Sequence, residues 1–216
     1  MQRNLQRTFS LILKRNISIR FQMTEETLFD SDGKRLYLTP NERQDFFVAA
    51  KEADRETRTF CHTLHITGCR ISEALALTVE RIDLNEQSVI FRTLKKREKI
   101  HYRSVPVPAD YLDSLDMVHG IREAKQQGKN FALWDYSRTT AWRKVKEVMM
   151  LAGIDVILPH ATAKGLRHAY GIHAIASQVP VTELQSLLGH AALNTTKIYL
   201  NVQGQEKRAL VSRMWN

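Results

Sequence analysis

Residues 187–200, LLGHAALNTTKIYL, raise the question on which the interpretation of this chain depends. The stretch begins as an apolar helical run that ends at Gly189-His190, and it places Tyr199 nine residues beyond that histidine. A tyrosine in such a position is usually an ordinary packing residue. It is also the arrangement expected of a nucleophile next to a group that binds its target. The rest of the sequence has to separate these two interpretations.

The charge of the chain favours a polyanionic partner. The 216 residues include 32 Lys and Arg against 23 Asp and Glu, which gives a formal net charge of +9. Such a balance indicates nucleic acid as the simplest partner. No apolar run approaches the roughly 20 residues that span a membrane, so no membrane partner is expected. Cys61 and Cys69 form no disulfide framework, which favours a reducing compartment.

Capping and turn signals divide most of the chain into helices. Thr39, Pro40 and Glu42 predict the N-terminal cap of a helix, and Gly68 predicts the end of the next one. The helix after Gly68 is predicted to continue through Val79. Helical periodicity is predicted in residues 38–54, 55–68, 69–79, 109–124, 137–153, 162–178, 180–190, 194–202 and 205–215.

One segment departs from the helical period. Residues 88–108 alternate apolar and polar positions and are rich in Val, Ile, Phe and Tyr, which predicts a β-hairpin. Its turn, residues 95–99, is loaded with Lys and Arg, and Pro106 and Pro108 end the second strand. The expected fold class is therefore mainly α with a small antiparallel β-sheet (α+β).

Four motifs occur in a fixed order along the chain. TGCRISEAL carries Arg70, FRTLKKREKIHYRSVPV carries Lys95, AKGLRHAYGIHAI carries Arg167, and LGHAALNTTKIYL carries His190 and Tyr199. In this order the motifs resemble those of the tyrosine recombinase (phage integrase) family. The resemblance extends from about residue 38 to residue 199 and implies the tyrosine recombinase catalytic domain fold.

The resemblance implies a division into two parts. Residues 37–216 are expected to form the tyrosine recombinase catalytic domain with a C-terminal helix. Residues 1–36 are expected to be a basic N-terminal arm or a remnant segment, since the first 22 residues hold five Arg and Lys and no acidic residue. A transit peptide, an arm on DNA and a poorly ordered tail remain alternatives for this part. The family commonly has a further core-binding domain of about 100 residues, so the chain is either a compact recombinase or a fragment.

The chemistry implied by the resemblance is transesterification of a DNA strand. Arg70 and Arg167 would grip the non-bridging phosphate oxygens and stabilise the charge of the pentavalent transition state. Tyr199 would attack the phosphorus and form a covalent intermediate. Lys95 would donate a proton to the leaving 5′-oxygen, and His190 would hydrogen-bond a phosphate oxygen.

Supporting residues follow from the same comparison, with one departure. Glu73, three residues past the first arginine, matches an acidic residue that braces the site in the family. The family usually has a histidine three residues before the second arginine, where this chain has Lys164. Lysine can hold charge at a phosphate, but it cannot act as imidazole does near neutral pH. His168, expected as a support residue, and His160 are possible substitutes for the proton-accepting step on Tyr199.

The basic hairpin is expected to contact DNA. Lys96, Arg97, Lys99 and Arg103 are predicted to bind the duplex. Lys96 remains the alternative to Lys95 as the proton donor.

The site is expected to need no metal and no other cofactor. Cys61, His62, His65 and Cys69 fall on one predicted helix, but no second ligand-bearing segment lies near them in sequence. The resemblance likewise implies no metal and no nucleotide cofactor.

The resemblance also implies partners and a place of action. Double-stranded DNA is the expected substrate. The resemblance implies a homo-tetramer on DNA, and a monomer in isolation remains an alternative. Leu210, Val211, Met214 and Trp215 would form the apolar face of a C-terminal helix that is lent to a neighbour or folds back on its own domain. The expected location is the bacterial cytoplasm or nucleoid.

Three functions remain to be separated. The first is a site-specific recombinase that cleaves and rejoins strands through a 3′-phosphotyrosyl intermediate. The second is a DNA-binding regulator on the recombinase fold, with strand exchange weakened by Lys164. The third is a type IB topoisomerase. The complete set of site residues favours the first, and the sequence leaves open whether its outcome is integration, inversion or resolution.

Overall fold

The structure, a computed structural model, describes residues 27–94, 100–201, 211–212 and 214. The helices are α1 (Pro40–Ala49), α2 (Arg55–Thr67), α3 (Ile71–Leu75), α4 (Ala109–His119), α5 (Ile121–Gln126), α6 (Arg138–Leu151), α7 (Ala163–Ala176), α8 (Val181–Leu188) and α9 (Leu193–Lys197). The strands are β1 (Ile82–Asp83), β2 (Ser88–Leu94) and β3 (Ile100–Pro106). The predicted fold class, mainly α with a small antiparallel sheet, is confirmed.

The first helix begins where the capping signal predicts. Thr39 accepts a hydrogen bond from the backbone N–H of Glu42, and the Glu42 carboxylate accepts one from the backbone N–H of Thr39. Arg35 binds the same carboxylate with both Nη atoms, at 2.5 and 2.6 Å. Burial acts to raise the pKa of Glu42, but these donors and the charge of Arg35 lower it to about 2. The chain that enters α1 is thereby fixed to the first turn of that helix.

The turn between α2 and α3 sets the direction of a predicted site residue. Helix α2 ends at Gly68, which has a φ of +60°, and a Cβ there would come within 2.5 Å of the Tyr170 ring. Arg70 is the N-cap residue of α3. The left-handed conformation at position 68 favours glycine, and the nearby Tyr170 ring would clash with any side chain there.

Helix α3 is shorter than predicted. It ends at Leu75 rather than continuing through Val79. The chain leaves the helix because Val79 donates to the carbonyl of Phe131 and Thr78 pairs with Ala132 as an isolated β-bridge. Val79 is still completely buried. The inward position was therefore predicted correctly, but its secondary structure was not.

The sheet contains the predicted hairpin. The strand order is β1-β2-β3, all antiparallel, with Val89 opposite Val105 and Phe91 opposite Arg103. Val89, Phe91 and Val105 are buried, so this face of the sheet lies on the core. Strand β1, two residues long, was not predicted. The turn at 95–99 lies outside the described residues, as do the predicted roles of Lys95, Lys96, Arg97 and Lys99.

The C-terminal half of the domain is helical and holds the other predicted site residues. Helix α7 packs against α2 and α8, and a second apolar cluster forms around its later turns. That cluster consists of Leu28, Tyr37, Ile172, Ala174, Leu184, Leu188 and Tyr199. The single helix predicted over 109–124 is instead α4 and α5, broken at Gly120, which has a φ of +62°.

Little of the predicted C-terminal helix is described. Val211 and Ser212 are helical, Val211 is half-buried, and the Met214 side chain is 80% exposed. Leu210 and Trp215 lie outside the described residues. Within the described part of the chain, no helix has the length and apolar character to cross a membrane.

Candidate active site

Three predicted cations meet at one concave surface. A pocket of about 260 Å³ is lined by Arg70 and Ile71 at the start of α3 and by Lys164 and Arg167 on α7. These residues are separated by more than 90 positions in sequence, so only the fold brings them together. Arg138, at the start of α6, lines the same pocket. Sequence reasoning missed Arg138, and no local signal distinguishes it from other basic residues that follow a helix cap.

Backbone carbonyls from two separate turns hold the Arg167 side chain. Its side chain is buried, and one Nη donates to the carbonyl of Gly68 at 2.8 Å while the other donates to the carbonyl of Leu188 at 2.9 Å. Gly68 precedes Arg70 by two residues, and Leu188 precedes His190 by two. A guanidinium carries five N–H donors, so these contacts are compatible with a further bond to phosphate. The segments bearing Arg70 and His190 are thus tied to Arg167.

The Glu73 carboxylate holds the Arg70 side chain in place. The Glu73 carboxylate accepts the backbone N–H of Arg70 at 2.9 Å and an Nη of its guanidinium at 3.0 Å. The Arg70 side chain is 40% exposed, whereas that of Glu73 is 6% exposed. Burial acts to raise the pKa of Glu73, but the hydrogen bond and charge of Arg103, with the contacts to Arg70, lower it. Glu73 is therefore a buried anion that contacts an accessible arginine.

Arg103 does not lie where it was predicted. It was expected to contact DNA, but its side chain is 7% exposed and forms an ion pair with Glu73 at 2.7 Å. Its register position opposite Phe91 turns it toward the core. The placement argues against a DNA contact, because the guanidinium is already enclosed by protein groups. The same inward face carries Val105 and Val107, and this alternation was the signal in the sequence that could have shown it.

The turn end of strand β2 borders the arginine site. A second pocket of about 370 Å³ is lined by Arg70 and Glu73, by Arg92 and Thr93 of β2, and by Gly189. Thr93 precedes Lys95 by two residues. The strand that leads to the predicted proton donor therefore borders the same surface as Arg70.

The Tyr199 side chain is buried beside the imidazole rings of His168 and His190. It is completely buried, and its hydroxyl is 3.1 Å from Nδ1 of His168. Its ring stacks near that of His190, with centroids 6.3 Å apart and planes 14° from parallel. A Cβ at Gly171 would come within 2.6 Å of the tyrosine ring. The structure thus brings Tyr199, His168 and His190 together on one side of α7.

His190 is oriented by its own loop. Its Nδ1 is 2.9 Å from the Thr196 hydroxyl, and its backbone N–H donates to the carbonyl of Gln185 at 3.1 Å. Gly189, with a φ of +66°, ends α8 and turns the chain so that His190 faces back toward Tyr199. The LLGH motif is therefore a helix end that delivers an imidazole to the site.

The two histidines considered as substitutes for the usual one have different positions. His168 contacts the Tyr199 hydroxyl, as given above. His160 is buried, with its Nε2 3.3 Å from a Glu42 carboxylate oxygen at the base of α1. Burial is the main cause of the lowered pKa of His160. Its contact with Glu42 places it in the support of the chain before α7, so it does not take the role of a base on Tyr199.

Cys61, His62 and His65 lie on α2, whereas Cys69 follows the turn at Gly68. Cys61 and Cys69 are buried free thiols. Burial raises the pKa of the Cys69 thiol to about 12. Among the described residues, no group of three or more His, Cys, Asp or Glu side chains has the arrangement of a metal site.

Tyrosine recombinases of known sequence resemble this chain over much of its length. The tyrosine recombinase XerD of Corynebacterium glutamicum is 32% identical over 167 residues, which cover 74% of this chain and 52% of the relative. The tyrosine recombinase XerA of Pyrococcus furiosus is 30% identical over 159 residues, covering 69% of this chain and 51% of the relative. The chain spans about half the length of these relatives.

Solved structures share the fold. The crystal structure of XerA recombinase superposes with a TM-score of 0.65 at 22% identity, over 85% of this chain and 66% of the other. XerH recombinase bound to its difH substrate in a pre-cleavage complex superposes with a TM-score of 0.62 at 20% identity, over 94% of this chain and 59% of the other. A sequence profile described as the phage integrase family matches residues 36–206, and the chain therefore belongs to that family.

Proposed function

We propose that this chain acts as a site-specific DNA recombinase, which cleaves and rejoins DNA strands through a 3′-phosphotyrosyl intermediate. The observation that carries the proposal is the convergence of Arg70, Lys164 and Arg167 on one pocket. Helix α7 joins this pocket to the tyrosine, because it presents Arg167 to the pocket and His168 to the Tyr199 hydroxyl. The candidate phosphate site and the candidate nucleophile thus both contact one helix.

The positive pocket supplies electrostatic stabilisation. As the pentavalent phosphorus forms, negative charge grows on its non-bridging oxygens, and preorganised guanidinium donors stabilise that charge. Arg167 is fixed by two carbonyls and Arg70 by Glu73. Lys164, exposed at the edge of the pocket, adds a point charge. Its proposed role is to attract the phosphate.

The covalent step uses Tyr199. Its phenolic oxygen attacks the phosphorus, the bond from phosphorus to the 5′-oxygen breaks, and a 3′-phosphotyrosyl bond forms. His168 accepts the phenolic proton at Nδ1, which lies 3.1 Å from the hydroxyl. The leaving 5′-oxygen takes a proton from Lys95 on the hairpin. Attack by a 5′-hydroxyl on the phosphotyrosine reverses the steps and rejoins the strand.

The tyrosine has to move before it can react. With no exposed surface, the Tyr199 ring cannot meet a phosphodiester while α9 keeps its present position. Helix α9 and the 3₁₀ turn Ile198–Asn201 are short elements packed on α7 and α8. A shift of this segment would carry the hydroxyl toward the arginines. We therefore describe the present arrangement as a resting state of the proposed enzyme.

The partners follow from the proposed reaction. Double-stranded DNA is the substrate, and XerH, which shares the fold, has been solved bound to DNA. Exchange between two duplexes requires four protomers, so a homo-tetramer on DNA is proposed, with the C-terminal segment lent between neighbours. Since the substrate is DNA, the proposed place of action is the bacterial cytoplasm or nucleoid.

A second candidate is a DNA-binding regulator on the same fold. Two observations favour it over an enzyme: the complete burial of Tyr199 and the lysine in place of a histidine at position 164. A regulator would keep the cationic pocket as a DNA contact and would not form a covalent bond.

A nicked suicide duplex separates the two candidates. The duplexes should be tiled from DNA flanking the gene, each with a nick that lets the cleaved strand end diffuse away. The enzyme gives a covalent protein–DNA band that disappears in Tyr199→Phe and persists in Tyr136→Phe, a matched loss of one hydroxyl that hydrogen-bonds Glu56. Retarded DNA with no covalent band indicates the regulator. Relaxation of any supercoiled plasmid, without site preference, indicates a type IB topoisomerase.

A further inference from the structure

We propose that Arg103 is a positioning residue, which holds strand β2 together with the segments that carry Arg70 and His190. The proposal rests on the proposed function, since those two residues are assigned to the reaction above. Arg103 lies on β3, makes contacts to residues from β2, α3 and α8, and is almost completely enclosed. Each contact leads to a different part of the site.

The first contact reaches Arg70 through Glu73. Arg103 binds the two carboxylate oxygens with its two Nη atoms, at 2.7 and 3.1 Å. The same two oxygens accept the backbone N–H and an Nη of Arg70. One carboxylate is therefore shared by a buried and an accessible guanidinium. The buried one sets the plane of the carboxylate, and the carboxylate in turn sets the direction of Arg70.

The second contact reaches the loop of His190. Nε of Arg103 donates to the carbonyl of Leu187 at 2.8 Å, next to the Leu188 carbonyl that Arg167 binds. Two consecutive carbonyls at the end of α8 are thus held by two different arginines. The approach is close, because a Cβ at Gly189 would come within 2.9 Å of an Arg103 Nη. The turn that delivers His190 therefore packs directly on the Arg103 guanidinium.

The third contact reaches the strand that leads to Lys95. An Nη of Arg103 donates to the Thr93 hydroxyl at 2.5 Å. The guanidinium also lies over the Phe91 ring, 4.9 Å from its centroid. Thr93 is two residues before Lys95 and borders the pocket of Arg70 and Gly189. Arg103 thereby fixes the end of β2 against α3 and the end of α8.

Only arginine can make this set of contacts. The planar guanidinium points Nε at one carbonyl and both Nη atoms at one carboxylate, whereas a lysine offers a single ammonium centre. A neutral side chain would also remove the buried cation that pairs with Glu73 and leave that carboxylate with Arg70. Lysine at this position keeps the charge and loses the geometry. The two kinds of substitution therefore separate the positioning role from simple charge compensation.

The test compares Arg103→Lys with wild type and with Arg122→Met. Arg122 is a matched control, because it also bridges carboxylates, of Asp113 and Asp116, but on the exposed surface of α4 and α5. Single-turnover cleavage of the suicide duplex, the Kd for that duplex and the midpoint of thermal unfolding are measured for each protein. We expect Arg103→Lys to cleave about 100-fold more slowly with Kd changed less than about threefold, in the range of misplaced catalytic groups. Arg122→Met is expected to cleave as wild type does.

The result that overturns the proposal is equally specific. Cleavage by Arg103→Lys at the wild-type rate would show that the contacts are not needed for positioning. A loss of cleavage that follows only a large fall in the unfolding midpoint would assign Arg103 to stability alone. Arg103→Met serves as the second variant and is expected to be slower and less stable than Arg103→Lys, since it removes the buried positive charge beside Glu73.

A crystal structure of Arg103→Lys tests the proposal without any cleavage assay. We expect the bond between Arg70 Nη1 and Glu73 Oε1, 3.0 Å long in the wild type, to open beyond about 3.5 Å, the limit of a hydrogen bond. Unchanged positions of Arg70 and His190 would contradict the inference. If the wild type fails to cleave any DNA, the proposed function fails, whereas this structural comparison still decides the role of Arg103.

Discussion

The two halves of the candidate site differ in how ready they are for chemistry. In the phosphate-binding half, Arg167 is bound to two backbone carbonyls and Arg70 to a buried carboxylate. In the nucleophile half, Tyr199 has no exposed surface and sits on short elements that follow a glycine turn. The arginine half lines an accessible pocket, which we call the open half. The half that contains Tyr199 is buried, and we call it the closed half.

The difference indicates an order of events. A preorganised cationic pocket can bind a phosphodiester without rearrangement, and its stabilisation of charge depends on that preorganisation. In the proposed mechanism Tyr199 stays buried until DNA is bound, so it would not react with an unsuitable target. The cost of moving α9 would then fall on the bound complex, where binding energy from the DNA can offset it.

The largest expected effect removes the nucleophile from the closed half. Tyr199→Phe keeps the ring packed on Gly171 and deletes the hydroxyl that contacts His168. We expect the covalent protein–DNA band to disappear, a loss of more than about 1,000-fold, because no other group replaces the attacking oxygen. The Kd for DNA should change little. A covalent band of wild-type intensity would show that another residue attacks.

A smaller effect distinguishes the two arginines of the open half. Arg70→Lys and Arg167→Lys are each expected to slow cleavage by about 100- to 1,000-fold, since a bidentate donor becomes a point charge. Arg167→Lys should also lower the free energy of unfolding by about 2 kcal/mol, because it leaves buried carbonyls of Gly68 and Leu188 without their donor. Arg70, with its side chain 40% exposed, should show no such loss. Equal stability of both variants in urea unfolding would contradict the assignment of Arg167 to both roles.

A substitution in the closed half can test whether burial of Tyr199 limits the reaction. Gly171→Ala would place a methyl group within 2.6 Å of the tyrosine ring and push it away from α7. We expect about 1–3 kcal/mol of destabilisation from overpacking, together with greater exposure of Tyr199 to iodination and several-fold faster single-turnover cleavage. Slower cleavage with an exposed ring would mean that the packed position, not its release, serves the chemistry.

The smallest effect concerns the acid sensitivity of the helix beneath the open half. Burial, with the charges of Arg43, His62 and His173, lowers the pKa of His65 on α2 to about 2. The unfolded histidine titrates near 6.5, so below that pH the unfolded chain binds one more proton than the folded one. Stability should then fall by about 1.4 kcal/mol per pH unit for this residue as the pH decreases. His65→Leu should reduce the dependence of stability on pH by about this amount in urea unfolding between pH 6.5 and 5, and an unchanged dependence would contradict the assignment.

Local signals made much of the fold predictable. The cap at Thr39 and Glu42, the helix end at Gly68 and the alternating hairpin each depend on neighbours in sequence, and each is present in the structure. The order of the motifs was enough to predict the family. Periodicity did not predict that α3 stops at Leu75, because the cause is pairing with the segment at Phe131.

The site was predictable as a set of residues, and its internal contacts were not. Arg103 was assigned to DNA because it follows a basic turn, whereas its place opposite Phe91 encloses it beside Glu73. Arg138 enters the pocket only through the packing of α6 near α3. The burial of Tyr199 is likewise a tertiary property, since nothing in the motif distinguishes a covered tyrosine from an open one.

The central claim is that the Tyr199 oxygen displaces a DNA ester oxygen at a phosphate held by Arg70 and Arg167. The direct measurement is mass spectrometry of the peptide that stays attached to DNA after reaction with the suicide duplex and digestion by protease and nuclease. The account predicts a nucleotide joined through its 3′-phosphate to Tyr199, at a yield that collapses in Arg70→Lys and Arg167→Lys. A nucleotide on any other residue, or a yield on Tyr199 that is indifferent to both arginines, would contradict it.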